Sequence, residues 1–310
     1  MNTLSENSCI APPFLEKGDT IAIISSARKI SKQELEPSIS IIEKEGYRVL
    51  LGENIFKEDH QYSGNDLQRI SDLHDAFQNT EVKAILFARG GYGSVRLLEL
   101  VDLEIIKSNP KWIIGYSDVT VFHSYFHEQI GIQTIHGSMP INFGAYQQDD
   151  LPIQSLFNAL EGKKLHYEIE SSADNKLGGT EGIIVGGNLS IIYSLRGTLA
   201  DVKTDNKILF IEDLDEYLYH IDRMMMNLKI GRKLDRLKAL VVGGMSDMND
   251  NTIPFGKTAK EIILDAVKDF DYPVLFDFPA GHIKQNYALR LGSFVRIEIN
   301  TEKAYLDFIA

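Results

Sequence analysis

The chain has 310 residues, 44% of them hydrophobic and 25% charged, a globular composition whose length predicts two domains. Its formal net charge of -12 at pH 7 argues against a nucleic-acid backbone or an anionic membrane surface as partner, because both are met by Lys and Arg. One cysteine, Cys9, excludes an intrachain disulfide; the polar start from Met1 to Pro13 has no leader pattern, and no apolar stretch approaches the ~20 residues of a membrane span, so the expected location is the cytoplasm.

The first half alternates strand and helix signals. Thr20–Ser25 (TIAIIS) reads as a buried strand, Gln33–Glu45 as a helix stopped by Gly46, and Arg48–Leu51 as a second strand. Asn65–Asn79 reads as a helix and Val82–Ala88 (VKAILFA) as a strand. Lys111–Gly115 follows as a strand, then a helix from about Asp118 to Gln129, then a strand at Gln133–His136. This alternation implies βαβ units and a parallel, doubly wound sheet. Residues 144–180 are polar and weakly periodic, and read as a connection with one short helix near Leu151–Leu160. The second domain, 181–310, has strand signals at Lys207–Ile211, Leu237–Val242 and Pro273–Phe276. Helices are expected at Tyr217–Leu228 and near Lys257–Lys268. Phe294–Ile299 and Ala304–Ile309 read as an antiparallel hairpin. The fold class is therefore α/β: a Rossmann-like parallel-sheet domain over 1–143 and a smaller, mixed α/β domain at the C-terminus.

Ser117 lies in Gly115-Tyr116-Ser117-Asp118, between a strand and a helix. A sharp turn there lifts a hydroxyl clear of the sheet and sets helix-start N–H groups beside it, where they can stabilise an oxyanion. The fifth position of a hydrolase elbow is Val119 rather than glycine, and a helix cap is the competing reading of Ser117 or Asp118. Arg89-Gly90-Gly91-Tyr92-Gly93-Ser94 also follows a strand. Its bare backbone suits close approach to an anion, though it is neither a dinucleotide fingerprint nor a Walker loop, and an ordinary tight turn is equally consistent. Glu212 and His282 each sit just past a strand, where open α/β sheets place ligand sites. A serine needs a base, and a histidine base needs a carboxylate to fix its tautomer. Ser117, Glu212 and His282 supply those roles in the chain order of the α/β-hydrolase triad.

Other groups read as structural. His123 and His127 have zinc-ligand spacing, but Ser124 stands where the protease signature needs glutamate. Asp247–Asn251 lacks the glycine and glutamate of a calcium loop. Met224–Met226 read as a packed helix face, and Cys9 as an inert thiol in a polar tail. No metal and no cofactor are expected.

Taken in order, ARGGYGSVRLL (Ala88–Leu98), IIGYSDVT (Ile113–Thr120), IHGSMP (Ile135–Pro140), EGIIVGGNLS (Glu181–Ser190), LFIEDLDE (Leu209–Glu216), YHIDRMMMNL (Tyr219–Leu228) and PAGHIKQNYALRLG (Pro279–Gly292) span nearly the whole chain. The set resembles the LD-carboxypeptidase family of serine peptidases. The resemblance implies Ser117 as nucleophile, Glu212 as carboxylate and His282 as base, with Glu212 and His282 supplied by the C-terminal domain. It implies release of a D-amino acid after an L-centre, typically D-alanine from a muropeptide in cell-wall recycling. It also implies oxyanion donors at Asp118 and at Gly90 or Gly91, with Arg89 available to the terminal carboxylate. His220, where relatives often carry arginine, and Ile283, where glycine is common, depart from the pattern. A branch of the family hydrolyses peptide–nucleotide antibiotics, but it tends to be longer, with an added loop that stacks a nucleobase. A non-catalytic anion- or nucleotide-binding module is the reading from a different class. The expected partners are a small peptide and, in assembly, a homodimer.

Overall fold

The computed structural model describes residues 9–309, so most of the polar start, Met1 to Ser8, lies outside the described residues. The elements run in chain order as follows. β1 (Thr20–Ile24), α1 (Lys32–Lys44), β2 (Arg48–Leu51), α2 (Asp66–Gln78) and β3 (Val82–Phe87) open the chain. A 3-10 segment, Ser94–Leu100, leads to α3 (Leu103–Ser108) and β4 (Trp112–Gly115). A 3-10 turn over Ser117–Val119 precedes α4 (Thr120–Ile130), β5 (Thr134–His136), α5 (Pro140–Phe143) and α6 (Leu151–Leu160). Then come β6 (His166–Glu170), β7 (Gly178–Asn188), α7 (Leu189–Ser194), β8 (Lys207–Leu214), α8 (Leu218–Ile230) and β9 (Ala239–Ser246). The chain closes with α9 (Ala259–Val267), β10 (Val274–Leu275), β11 (Leu289–Leu291), β12 (Phe294–Ile299) and β13 (Lys303–Phe308).

Local chemistry explains most boundaries. Ser31 and Glu34 form a reciprocal capping box at the start of α1, and Gly46, at a φ of 87°, follows its end. Asn65 with Gln68 and Thr258 with Glu261 do the same for α2 and α9. β1 is buried at every position and apolar after Thr20, as suits a strand covered on both faces. β12 and β13 alternate exposed or half-exposed with buried residues and pair from Ile299↔Ala304, the expected hairpin.

The first sheet has the order β2-β1-β3-β4-β5-β11. Its first five strands are parallel, and β11 joins antiparallel to β5 through Leu289↔His136 and Leu291↔Thr134. The strand order reverses between β1 and β3, the position at which doubly wound sheets open a crevice at their C-terminal ends. The second sheet, β10-β9-β8-β7-β12-β13-β6, is mixed, with β7 to β10 parallel and the rest antiparallel.

The segment read from sequence as a connection holds more structure than its polarity suggested. β6 and the start of β7 lie in it, and β6 takes its place beside β13. β6 alternates exposed His166, Glu168 and Glu170 with buried Tyr167 and half-buried Ile169, but five residues are too few to stand out in a polar stretch. β11 crosses back to complete the first sheet, and a three-residue strand gives too little period to read. Met224 and Met225 are fully buried as expected, while Met226 turns outward. Cys9 is not in a free tail. It packs against Gly292 beside His127, and burial pushes its thiol up to about 11.

One apolar cluster runs from Ile21, Ala84 and Trp112 in the first sheet through Ile135, Phe210 and Phe278 to Leu306 in the second. The two sheets thus share a core, and the C-terminal part of the chain also supplies the first sheet's edge strand, β11. The full chain is expected to unfold in one thermal transition. A fragment ending at Phe143 lacks β11 and half of that cluster, and is expected to show no cooperative transition by scanning calorimetry.

Candidate active site

Ser117 occupies the turn between β4 and α4 with a φ of 61°. That left-handed conformation strains a residue with a Cβ, at a cost of roughly 1–3 kcal/mol, and such strain collects at functional turns. The turn is made tight by Gly115, where a Cβ would sit 2.7 Å from Val119. Gly90 lies directly against the serine. A Cβ there would stand 3.0 Å from Ser117 Oγ. The backbone N–H groups of Gly90, Gly91 and Asp118 donate to no acceptor among the described residues, and all three residues line the same cleft as Ser117. Asp118 is buried, and its carboxylate accepts a 2.8 Å bond from Ser94 N. That bond ties the glycine loop after β3 to the serine turn.

Glu212, near the end of β8, is wholly removed from solvent. Its Oε2 accepts from His282 Nδ1 at 2.7 Å and from the His282 backbone N–H at 3.1 Å. A carboxylate can only accept in that arrangement, so Nδ1 carries the proton and Nε2 is left as an acceptor. Asn188 Nδ2, at the end of β7, donates to Glu212 Oε1 at 3.3 Å and to Asp213 Oδ1 at 3.0 Å. Gly281 makes the pairing possible. It holds a φ of 106°, and a Cβ there would lie 2.6 Å from Glu212 Oε2. Asn286 Oδ1 accepts from Gly281 N at 2.8 Å, and Ser246 Oγ donates to His282 O at 2.7 Å, so the loop is pinned on both sides.

Ser117 and His282 line one cleft of about 530 Å³, with Tyr116 between the domains, its ring 4.7 Å from the imidazole. No hydrogen bond joins Ser117 Oγ to His282 among the described residues, so the contact is left for a bound substrate to tighten. The cleft also takes in Arg28, Arg89, Asp213, Asp215 and Glu216. Arg89 faces Glu34 at 3.6 Å. His220 pairs with Glu216 at 2.6 Å. His123 and His127 lie away from it. Both are buried, bonded to the carbonyls of Gly115 and Leu291, and pushed down by burial to about 4 and about 3.

Asn188, Asp213, Gly281, Tyr116 and Arg28 were not singled out from sequence. For four of them the only signal was position inside the quoted stretches, and for Arg28 it was position just past the first expected strand, Thr20–Ser25.

Burial pulls the His282 imidazole down, but the Glu212 charge, its hydrogen bond and the nearby Asp213 outweigh it, and the net shift is upward. The sign follows. A raised folded-state value adds stability that is complete below the ordinary value of ~6.5 and is lost as pH rises through the folded value. In Glu212→Gln only Asp213, the smallest of the raising causes, is left to oppose the desolvation. NMR titration of the His282 ring is expected to give a midpoint above 6.5 in the parent and below it in the variant. Equal midpoints would remove Glu212 as its electrostatic partner.

The N-terminal LD-carboxypeptidase domain profile matches residues 21–137 and the C-terminal one residues 181–297. A probable murein peptide carboxypeptidase of Bacillus subtilis is 36% identical, covering 96% of this chain and 94% of that protein. The crystal structure of a muramoyltetrapeptide carboxypeptidase from Oxalobacter formigenes superposes with a TM-score of 0.83 at 26% identity, covering 93% of this chain and 98% of the other. A microcin C7 self-immunity protein shares the fold, with a TM-score of 0.86 at 23% identity over 96% of this chain and 98% of its own. On the two domain matches and the full-length relative, the chain belongs to the LD-carboxypeptidase family.

Proposed function

We propose that this chain is a cytoplasmic serine carboxypeptidase that releases a C-terminal D-amino acid following an L-centre, with D-alanine on a murein tetrapeptide as the substrate. The carrying observation is the buried Glu212–His282 pair facing the same cleft as the strained Ser117 turn. The relatives whose names refer to murein peptides support the substrate class. Among the described residues no helix is long and apolar enough to cross a membrane.

In this reading Ser117 Oγ attacks the carbonyl carbon of the penultimate residue while its proton passes to His282 Nε2. The carbonyl oxygen becomes an oxyanion beside the free N–H groups of Asp118 and of Gly90 or Gly91. Collapse breaks the C–N bond, and His282 returns the proton to the departing amine. Water then attacks the acyl-enzyme, His282 takes its proton, and the serine is regenerated. Glu212 holds the imidazole and stabilises its charged form in both halves.

The peptide–nucleotide branch is the competing substrate class. The only tryptophan, Trp112, is fully buried and stacks on Phe14 with ring centroids 5.5 Å apart, so it offers no face to a nucleobase in the cleft. Free D-alanine appearing from a tetrapeptide, with no cleavage of an aminoacyl-adenylate analogue, is the expected outcome. The reverse pattern would move the chain to the other branch.

Ser117→Ala is expected to cut turnover by roughly 10⁴- to 10⁶-fold while binding of the tetrapeptide persists, since the nucleophile acts in chemistry rather than in ground-state contact. Near-normal turnover by the pure variant would remove Ser117 from this role. EDTA is expected to leave the rate unchanged, because no step above calls for a metal. Loss that zinc restores would redirect attention to His123 and His127.

A further inference from the structure

We infer that Arg28, rather than Arg89, receives the terminal carboxylate of the substrate and so makes the site select for free peptide ends. The inference rests on the function proposed above and adds the residue that sets its exo-specificity.

The fold points to this position first. Arg28 lies just past the end of β1, and Gly90 and Gly91 lie just past the end of β3. These two strands flank the reversal in strand order, where the crevice of a doubly wound sheet opens. The contacts point the same way. Arg28 N donates to Gly90 O at 3.4 Å, which seats its backbone on the glycine loop. Its side chain then runs across Gly91, where a Cβ would meet Cδ at 2.6 Å and Nε at 3.0 Å. Gly90, one residue earlier, touches Ser117. The guanidinium is therefore one peptide unit away from the residue that abuts the nucleophile. In a single-residue leaving group the carboxylate carbon stands within roughly 4 Å of the scissile carbonyl carbon, about the span of one peptide unit.

Charge decides between the arginines. Arg89 already faces Glu34, whose carboxylate also caps α1. Arg28 forms no ion pair with any described residue, though it lines the cleft. The facing wall carries Asp213, Asp215 and Glu216, so a carboxylate turned that way meets like charge. A planar guanidinium binds a carboxylate in bidentate fashion, and an amide cannot replace that charge.

The experiment compares kcat/KM on a murein tetrapeptide ending in free D-alanine with the same peptide ending in D-alaninamide. The parent protein should prefer the acid. Arg28→Gln should lower kcat/KM on the acid by about 10- to 100-fold and on the amide by far less, collapsing the preference; charge-assisted hydrogen bonds support a change of that order. Arg28→Lys should recover part of the preference, and Arg89→Gln should keep most of it. Thermal midpoints check that each variant folds. Retention of the acid preference in Arg28→Gln, or its collapse only in Arg89→Gln, overturns the inference while the proposed function stands. A parent protein that cleaves neither peptide overturns the proposed function and this inference with it.

Discussion

A carboxylate with no exposed surface has to be matched on every side, and Glu212 is the point about which the site is arranged. Burying an ion costs several kcal/mol unless partners replace its water. Here the replacements are one imidazole N–H, one backbone N–H and one side-chain amide. Two of them belong to His282, so the same bonds that solvate Glu212 fix the ring and its tautomer. Gly281 is the geometric condition for both, because no side chain fits between that loop and the carboxylate. Stability of the pair and orientation of the base are one requirement, met by one set of atoms.

His282 is therefore held beside the second sheet, and Ser117 at a strand end of the first. What remains is to hold the sheets in register. Thr120 Oγ1, three residues after Ser117, accepts from Asn188 N at 3.0 Å, and Asn188 in turn donates to Glu212. Gly187 allows the approach, since a Cβ would lie 2.5 Å from Thr120 Oγ1. The path from the serine turn to the carboxylate is thus short and passes through one asparagine. β11 does the same on a larger scale. It leaves the His282 loop and pairs with β5, whose His136 lies opposite Gly115 at the end of β4. The loop that carries His282 is stitched to the sheet that carries Ser117 within ten residues.

Much of this was legible in the sequence because the relevant signals are local. Buried parallel strands are short apolar runs, capping boxes are visible three residues apart, and the expected α6 matches Leu151–Leu160 in the structure. The motif order gave the family. The residues that escaped act across long separations. Asn188 caps α7, accepting from Ile191 N with Oδ1, while its Nδ2 serves two carboxylates. Arg28 is one basic residue in a polar loop until Gly91 is seen beneath it. β6 was missed because five residues are too few to stand out in a polar stretch, and β11 because three residues carry no period.

The least expected feature is that Glu212 and Asp213, adjacent in a strand, both reach Asn188. Strict alternation would send them to opposite faces. The pairing of β8 with β9 slips between them: Ile211 opposes Val242, whereas Asp213 opposes Met245. β9 has one extra residue there, at Gly243-Gly244, and a Cβ on Gly243 would lie 2.4 Å from Ala280 O. The bulge thus lies in β9, opposite Glu212, and the ladder is irregular at the place where the two carboxylates meet one amide. The electrostatic result follows. Burial and the neighbouring Glu212 charge push Asp213 up to about 7. Near neutrality Asp213 is thus part protonated, while Glu212 keeps the direct bond to the imidazole. Two adjacent acids thus hold unequal places, Glu212 bonded to the His282 imidazole and Asp213 lining the cleft with a charge that varies close to it. The extra residue opposite Glu212 falls on two glycines, Gly243 and Gly244, where a side chain would run into Ala280 or Ile283.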